Sequence, residues 1–152
     1  IFDNIILPAY LAHNGSREKT NQRAKALMEK VGILDLADND VTQASGGQLQ
    51  RVGICRALIN EPCIVFGDEP TGALNSKAAG EIMDLLADIN RTGTTILLVT
   101  HNVKVAARTE RVFFMLDGRI ASQKELGKYN GSDGDYRARE EGLSNWLIEN
   151  GF

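Results

Sequence analysis

Two hydrophobic periods alternate along the chain. Between Ser16 and Val31 the apolar residues Ala24, Leu27, Met28 and Val31 recur at helical spacing, and Gly32 fits a stop just after them. Helical spacing returns after Ser45-Gly46-Gly47, with Leu49, Val52, Ile54, Ala57 and Leu58 available to pack on a helix reaching about Asn60. Glu61-Pro62 breaks that helix. A third helix carries Ile82, Met83, Leu85, Leu86 and Ile89 on its buried side, with Ser76 as its expected cap. Between the helices the period changes. Residues 63–66 and 95–100 are short continuous apolar runs, the pattern of strands buried on both faces. Residues 111–116 predict a third strand, and after the turn pair Asp117-Gly118 residues 119–122 predict a fourth.

The remaining segments are shorter. Residues 2–11 are apolar but interrupted by Pro8, which predicts a loop leading into a helix. His13-Asn14-Gly15-Ser16 is turn chemistry, with His13 expected in solvent. Residues 34–37 begin a short helical piece, and the polar residues 38–43 predict a loop. A short helix is expected from His101 to about Thr109. Residues 127–135 read as a linker, and residues 136–150 as an amphipathic helix carrying Leu143, Trp146 and Leu147, with Trp146 its packing anchor. The order strand, helix, strand, helix, strand implies parallel pairing with helices on the faces, hence an α/β fold.

Composition narrows the partners. A chain of 152 residues with 43% hydrophobic and 24% charged residues has the profile of an ordinary globular domain. Its net charge of −3 leaves no basic excess to neutralise phosphates, which argues against nucleic acid as a partner. The apolar runs are too short to insert into a bilayer, so any membrane is reached through another protein. Cys55 and Cys63 lie in apolar surroundings and read as buried free thiols of a reducing compartment. The start at Ile1 suggests a piece of a longer protein.

Two strands end in ionisable residues. Ligands of open parallel sheets bind beyond the carboxyl ends of the strands. Asp68 and Glu69 follow the first strand and His101 the second, so neighbouring parallel strands would bring all three to one edge. The first carboxylate can hold Mg²⁺ through water and the second can orient or deprotonate an attacking water. Taken alone, the Asp-Glu pair is better read as solvated strand-end acids. Ser45-Gly46-Gly47-Gln48 opens a helix, where bare amides and the helix dipole favour an anion. Gly-Gly before a helix is also plain turn chemistry.

The ordered set resembles one family. Ala44-Ser45-Gly46-Gly47-Gln48-Leu49-Gln50-Arg51 resembles the signature motif of ATP-binding cassette (ABC) ATPases, and the residues from Val52 to Leu58 resemble its continuation. Cys63-Ile64-Val65-Phe66-Gly67-Asp68-Glu69-Pro70-Thr71 resembles the Walker B strand with its catalytic glutamate. Gly72-Ala73-Leu74-Asn75 stands in the place of the D-loop, and Val99-Thr100-His101 in that of the switch histidine. The resemblance implies a P-loop NTPase fold: a parallel sheet flanked by helices, plus a helical subdomain. It implies ATP and Mg²⁺ as cofactors. Asp68 would coordinate the metal through water, Glu69 would act on the attacking water, and His101 would contact the γ-phosphate. Ser45, Gly46, Gly47 and Gln48 would cover the ATP held by a second cassette in a head-to-tail dimer, with Asn75 in the nucleotide-binding set. A transmembrane permease would be the other partner, and the location cytoplasmic and peripheral to the membrane.

The same resemblance divides the chain. Residues 1–60 would hold the end of the Q-loop region, the helical subdomain and the signature helix. Residues 61–126 would be the later part of the α/β core, and 127–152 a linker and terminal helix. The wording GDEPTGALN and residues 139–152 resemble exporters of peptides, lipoproteins and antimicrobial compounds. Ala44 replaces the family's usual leucine, and Asn75 stands where many members have aspartate. The 152 residues contain no G-x-x-x-x-G-K-[ST] loop. The expectation is therefore a C-terminal portion of a transporter ATPase, inactive by itself. A non-catalytic dimerisation or regulatory module and a soluble ABC ATPase are the alternatives.

Overall fold

The computed structural model describes residues 1–13 and 16–151. Asn14 and Gly15 of the expected turn, and Phe152, lie outside the described residues. The chain forms two compact units, Ile1–Val99 and Thr100–Phe152.

The first unit opens with helix α1 (Phe2–Leu11), where the sequence predicted a loop. Pro8 sits inside it and removes one backbone donor, a defect costing about 3 kcal/mol. Burial outweighs it: Ile5 and Ile6 are buried with Ala9 as α1 packs on α2 and α3, and each buried isoleucine contributes roughly 1.5–3 kcal/mol. Helix α2 (Arg17–Lys30) starts at Ser16, whose hydroxyl accepts from the Lys19 amide at 3.3 Å. It ends before Gly32, whose φ of +70° suits only glycine well. Ala24, Met28 and Val31 are buried as the spacing predicted, and Leu27 is half-buried.

The expected short helical piece is the 3₁₀ turn Leu34–Leu36. The expected loop at 38–43 contains a second 3₁₀ turn, Val41–Gln43. Asp40 accepts from the Thr42 amide at 2.8 Å, while the Asp40 amide donates to Gln43 at 3.0 Å. The Thr42 hydroxyl also donates to Asp40, and these bonds hold its carboxyl below the usual range. Helix α3 (Gly46–Leu58) buries Val52, Ile54 and Cys55, with Ile59 just beyond its end. Leu49 and Ala57, expected to pack, are exposed. Burial pushes the Cys55 thiol up to about 12. Cys63, expected buried, is exposed at the position just ahead of strand β1, outside the covered part of the sheet.

Strand β1 (Ile64–Asp68) pairs in parallel with β2 (Thr95–Val99), register running from Ile64↔Thr95 to Asp68↔Val99. Helix α4 (Ser76–Arg91) connects them and buries Ile82, Met83, Leu85, Leu86 and Ile89, all five predicted from spacing. The strands are not buried on both faces. Ile64, Phe66, Leu97 and Val99 are exposed, Phe66 by 70%, while Val65, Ile96 and Leu98 on the opposite face are half-buried. Alternating pleat directions explain the split: one face has cover and the other does not.

The second unit holds α5 (Val103–Ala106), β3 (Arg111–Leu116), β4 (Arg119–Glu125) and α6 (Asp133–Glu149). Here the parallel expectation fails for the third strand. β3 pairs antiparallel with β4, because Asp117 and Gly118 take φ of +49° and +74° and return the chain at once. β4 runs three residues beyond the expected end, and α6 starts at Asp133 under a Ser132 cap. Ala107, Phe114, Leu143 and Leu147 form this unit's core. Trp146 anchors α6 as expected, edge-on to Phe114 with centroids 6.5 Å apart.

Candidate functional site

The starts of α3 and α4 adjoin in the first unit, and the end of β1 leads into the α4 start through a tight turn. The α3 start is closed by a reciprocal box: the Gln48 amide donates to Ser45 Oγ at 3.3 Å, and the Ser45 amide donates to Gln48 Oε1 at 2.8 Å. Both side chains thus spend acceptor atoms inward. The Ser45 hydroxyl hydrogen and the Gln48 NH₂ remain available as donors. The backbone amides of Gly46 and Gly47, at a helix N-terminus, are donors as well. Ser45 and Gly46 are exposed. Donors of this kind in partial positive potential fit an anion with several oxygens.

The start of α3 lies against Leu74 and the first turn of α4, at ordinary van der Waals distance. A β-carbon on Gly46 would lie 3.8 Å from Leu74 Cδ2, and one on Gly47 3.9 Å from the Ala78 β-carbon. Arg51, one turn further along α3, donates to the Val31 carbonyl and to Glu81 of α4, both at 2.7 Å. It therefore ties α2, α3 and α4 together. The sequence gives no sign of this, because the Glu81 and Val31 partners lie 30 and 20 positions away.

Asp68 is the last residue of β1 and is exposed; Glu69 follows, half-buried. The Glu69 amide donates to the Val99 carbonyl at 2.9 Å, so the acidic pair and the end of β2 share one sheet edge. Glu69 has a φ of +44°, left-handed and unfavourable for a residue with a side chain. A tight turn follows, in which the Gly72 amide donates to the Glu69 carbonyl at 3.1 Å and the Leu74 amide to the Thr71 carbonyl at 3.1 Å. Asn75 then caps α4, its side-chain oxygen accepting from the Ala78 amide at 2.9 Å. The expected cap, Ser76, is instead the first helical residue.

His101 is exposed and belongs to the second unit, two residues along the chain from Val99. Next to it, the Asn102 amide donates to Thr100 Oγ1 at 3.1 Å and the Asn102 side chain caps α5. The first unit therefore brings together Ser45, Gly46, Gly47, Gln48 and Asn75 at adjoining helix starts, and Asp68 with Glu69 at the strand edge.

No group of three or more His, Cys, Asp or Glu side chains able to hold a metal occurs among the described residues. Asp68 and Glu69 offer two carboxylates. That donor set fits Mg²⁺, which is commonly held by one or two carboxylates with substrate phosphates and water completing its shell.

A family profile described as ABC transporter matches residues 1–72. The chain is 44% identical over 122 residues to the lipoprotein-releasing system ATP-binding protein LolD 2 of Rhodospirillum rubrum, covering 80% of this chain and 53% of that protein. It is 50% identical over 107 residues to the methionine import ATP-binding protein MetN 2 of Oenococcus oeni, covering 69% and 30%. Among solved structures, it is similar to the dimeric post-hydrolysis state of the ATP-binding cassette MJ0796 bound to ADP and Pi. That likeness has a TM-score of 0.72 and 36% identity over 84% of this chain and 57% of that one. The chain spans about half the length or less of the relatives it matches.

Proposed function

The chain belongs to the ABC transporter ATPase family, and from that premise we propose that it supplies the hydrolytic strand edge and the signature helix of a transport ATPase. The observation that carries the proposal is the backbone at Glu69. A left-handed residue, bonded on one side to Val99 and on the other to Gly72, fixes a carboxylate directly after the Asp68 strand end. In this reading Asp68 would hold Mg²⁺ through water, and Glu69 would orient the water that attacks the terminal phosphate and take its proton. His101 donates to that phosphate. Bound Mg²⁺ would offset the charge on the phosphate oxygens.

The donor face of Ser45, Gly46, Gly47 and Gln48 would serve a different nucleotide, the one held by a second cassette. The reciprocal box, which occupies acceptor atoms and leaves the hydroxyl hydrogen and the NH₂ as donors, supports that role. Asn75 would join them at the adjoining helix start. A transmembrane permease completes the assembly, and no helix among the described residues is long and apolar enough to cross a membrane itself. The motif wording and the lipoprotein-releasing relative favour export of lipoproteins, peptides or antimicrobial compounds.

The test is Mg-ATP turnover by the 152-residue chain beside the same chain extended upstream through a phosphate-binding loop. Turnover is expected only from the extended protein. There Glu69→Gln should lower kcat by about 10²–10⁴-fold while leaving ATP binding in place. Full turnover in Glu69→Gln would remove the base from the scheme. No turnover in either protein would favour a dimerisation module.

A further inference from the structure

We propose that Arg139, on α6, is a positioning residue for His101 and acts through α5. The inference rests on the role given to His101 above. Arg139 is only 9% exposed, which is costly for a guanidinium. Its Nε donates to Asp135 at 3.0 Å and its Nη1 to the Thr109 carbonyl at 3.3 Å. Its Nη2 donates to the carbonyls of Gly127 at 3.0 Å and Lys128 at 2.6 Å. The Tyr129 ring lies 5.6 Å from the guanidinium.

Docking α6 needs no buried charge, since Leu143 and Leu147 already supply an apolar seam. What an apolar residue could not do is hold carbonyls from two separate segments at once. One of those carbonyls belongs to Thr109. The Thr109 amide and hydroxyl in turn donate to the Ala106 carbonyl at 3.0 and 2.8 Å, closing the end of α5. At the other end of α5, Asn102 caps the helix, and His101 is the residue before it. A helix of four residues cannot hold its own position and takes it from its attachments. α5 packs against α6, so the fork of Arg139 fixes the far end of the segment that begins at His101.

The chain has two histidines, so the His101 imidazole signals can be assigned by NMR with His101→Gln as the reference. Arg139→Met keeps length and apolar bulk but loses the fork. It should speed amide exchange in residues 103–109 by about tenfold or more and shift the His101 signals. Asp135→Asn, which weakens one anchor of the fork, should move both readouts the same way by less. In the extended protein Arg139→Met should lower kcat by about tenfold with KM for ATP changed less than about twofold. The proposal is overturned if exchange at 103–109 and the His101 signals match wild type while residues 137–147 of α6 exchange faster. Should Arg139→Met fail to fold, Asp135→Asn decides by the same two readouts. If His101→Gln leaves turnover intact, the role of His101 falls, while the exchange and NMR results still decide whether Arg139 positions it.

Discussion

Glu69 concentrates the chemistry and the strain in one residue. A side chain in the left-handed region costs roughly 1–2 kcal/mol, and such outliers persist where the surroundings over-determine them. Here the bonds to Val99 and from Gly72 do so. Asparagine tolerates this conformation better than glutamine, although both carry an amide. Glu69→Asn should therefore be more stable than Glu69→Gln by roughly 1 kcal/mol in urea unfolding, in line with the backbone cost. Equal stabilities, or the reverse order, would show that φ is not what strains this position. The sequence displays the Asp68-Glu69 pair plainly, because two acids after an apolar run stand out. It does not display the left-handed backbone, which depends on a strand 30 residues later closing over the turn.

At the scale of elements, the α3 and α4 starts are set by caps. Asn75 and Ser76 are both capping residues, and the sequence offers no way to rank them; the structure selects Asn75, whose side chain reaches the Ala78 amide. That also accounts for asparagine in a place where aspartate is common, since either caps equally well. Asn75→Ala should cost about 1 kcal/mol and Asn75→Asp no more than a few tenths, measured by thermal unfolding. Comparable losses in both would mean that the amide group has a further partner. Periodicity made α4 legible because its five buried positions are decided by one helix face. It failed for α1, where Pro8 argued against a helix and burial of Ile5 and Ile6 overrode it. It placed β3 and, with the Asp117-Gly118 turn signal, the returning β4; what failed there was only the parallel pairing inferred from strand-helix alternation.

For the whole molecule, the exposed side of the first sheet is the dominant physical fact. Continuous apolar runs predicted strands covered on both faces, yet Ile64, Phe66, Leu97 and Val99 face solvent, at 42%, 70%, 43% and 61% exposure. Two strands alone make a marginal sheet, and the β1–β2 sheet has no further strand among the described residues. Unpaired edges beside an apolar surface favour association. The 152-residue chain should therefore self-associate with rising concentration in sedimentation velocity. Phe66→Lys places a charge at the centre of the patch, on a side chain with little packing to lose. It should shift the chain toward monomer without lowering its melting temperature. A wild-type chain that stays monomeric across the concentration range would show that the face is not adhesive. A Phe66→Lys chain that associates as strongly as wild type would place the contact elsewhere.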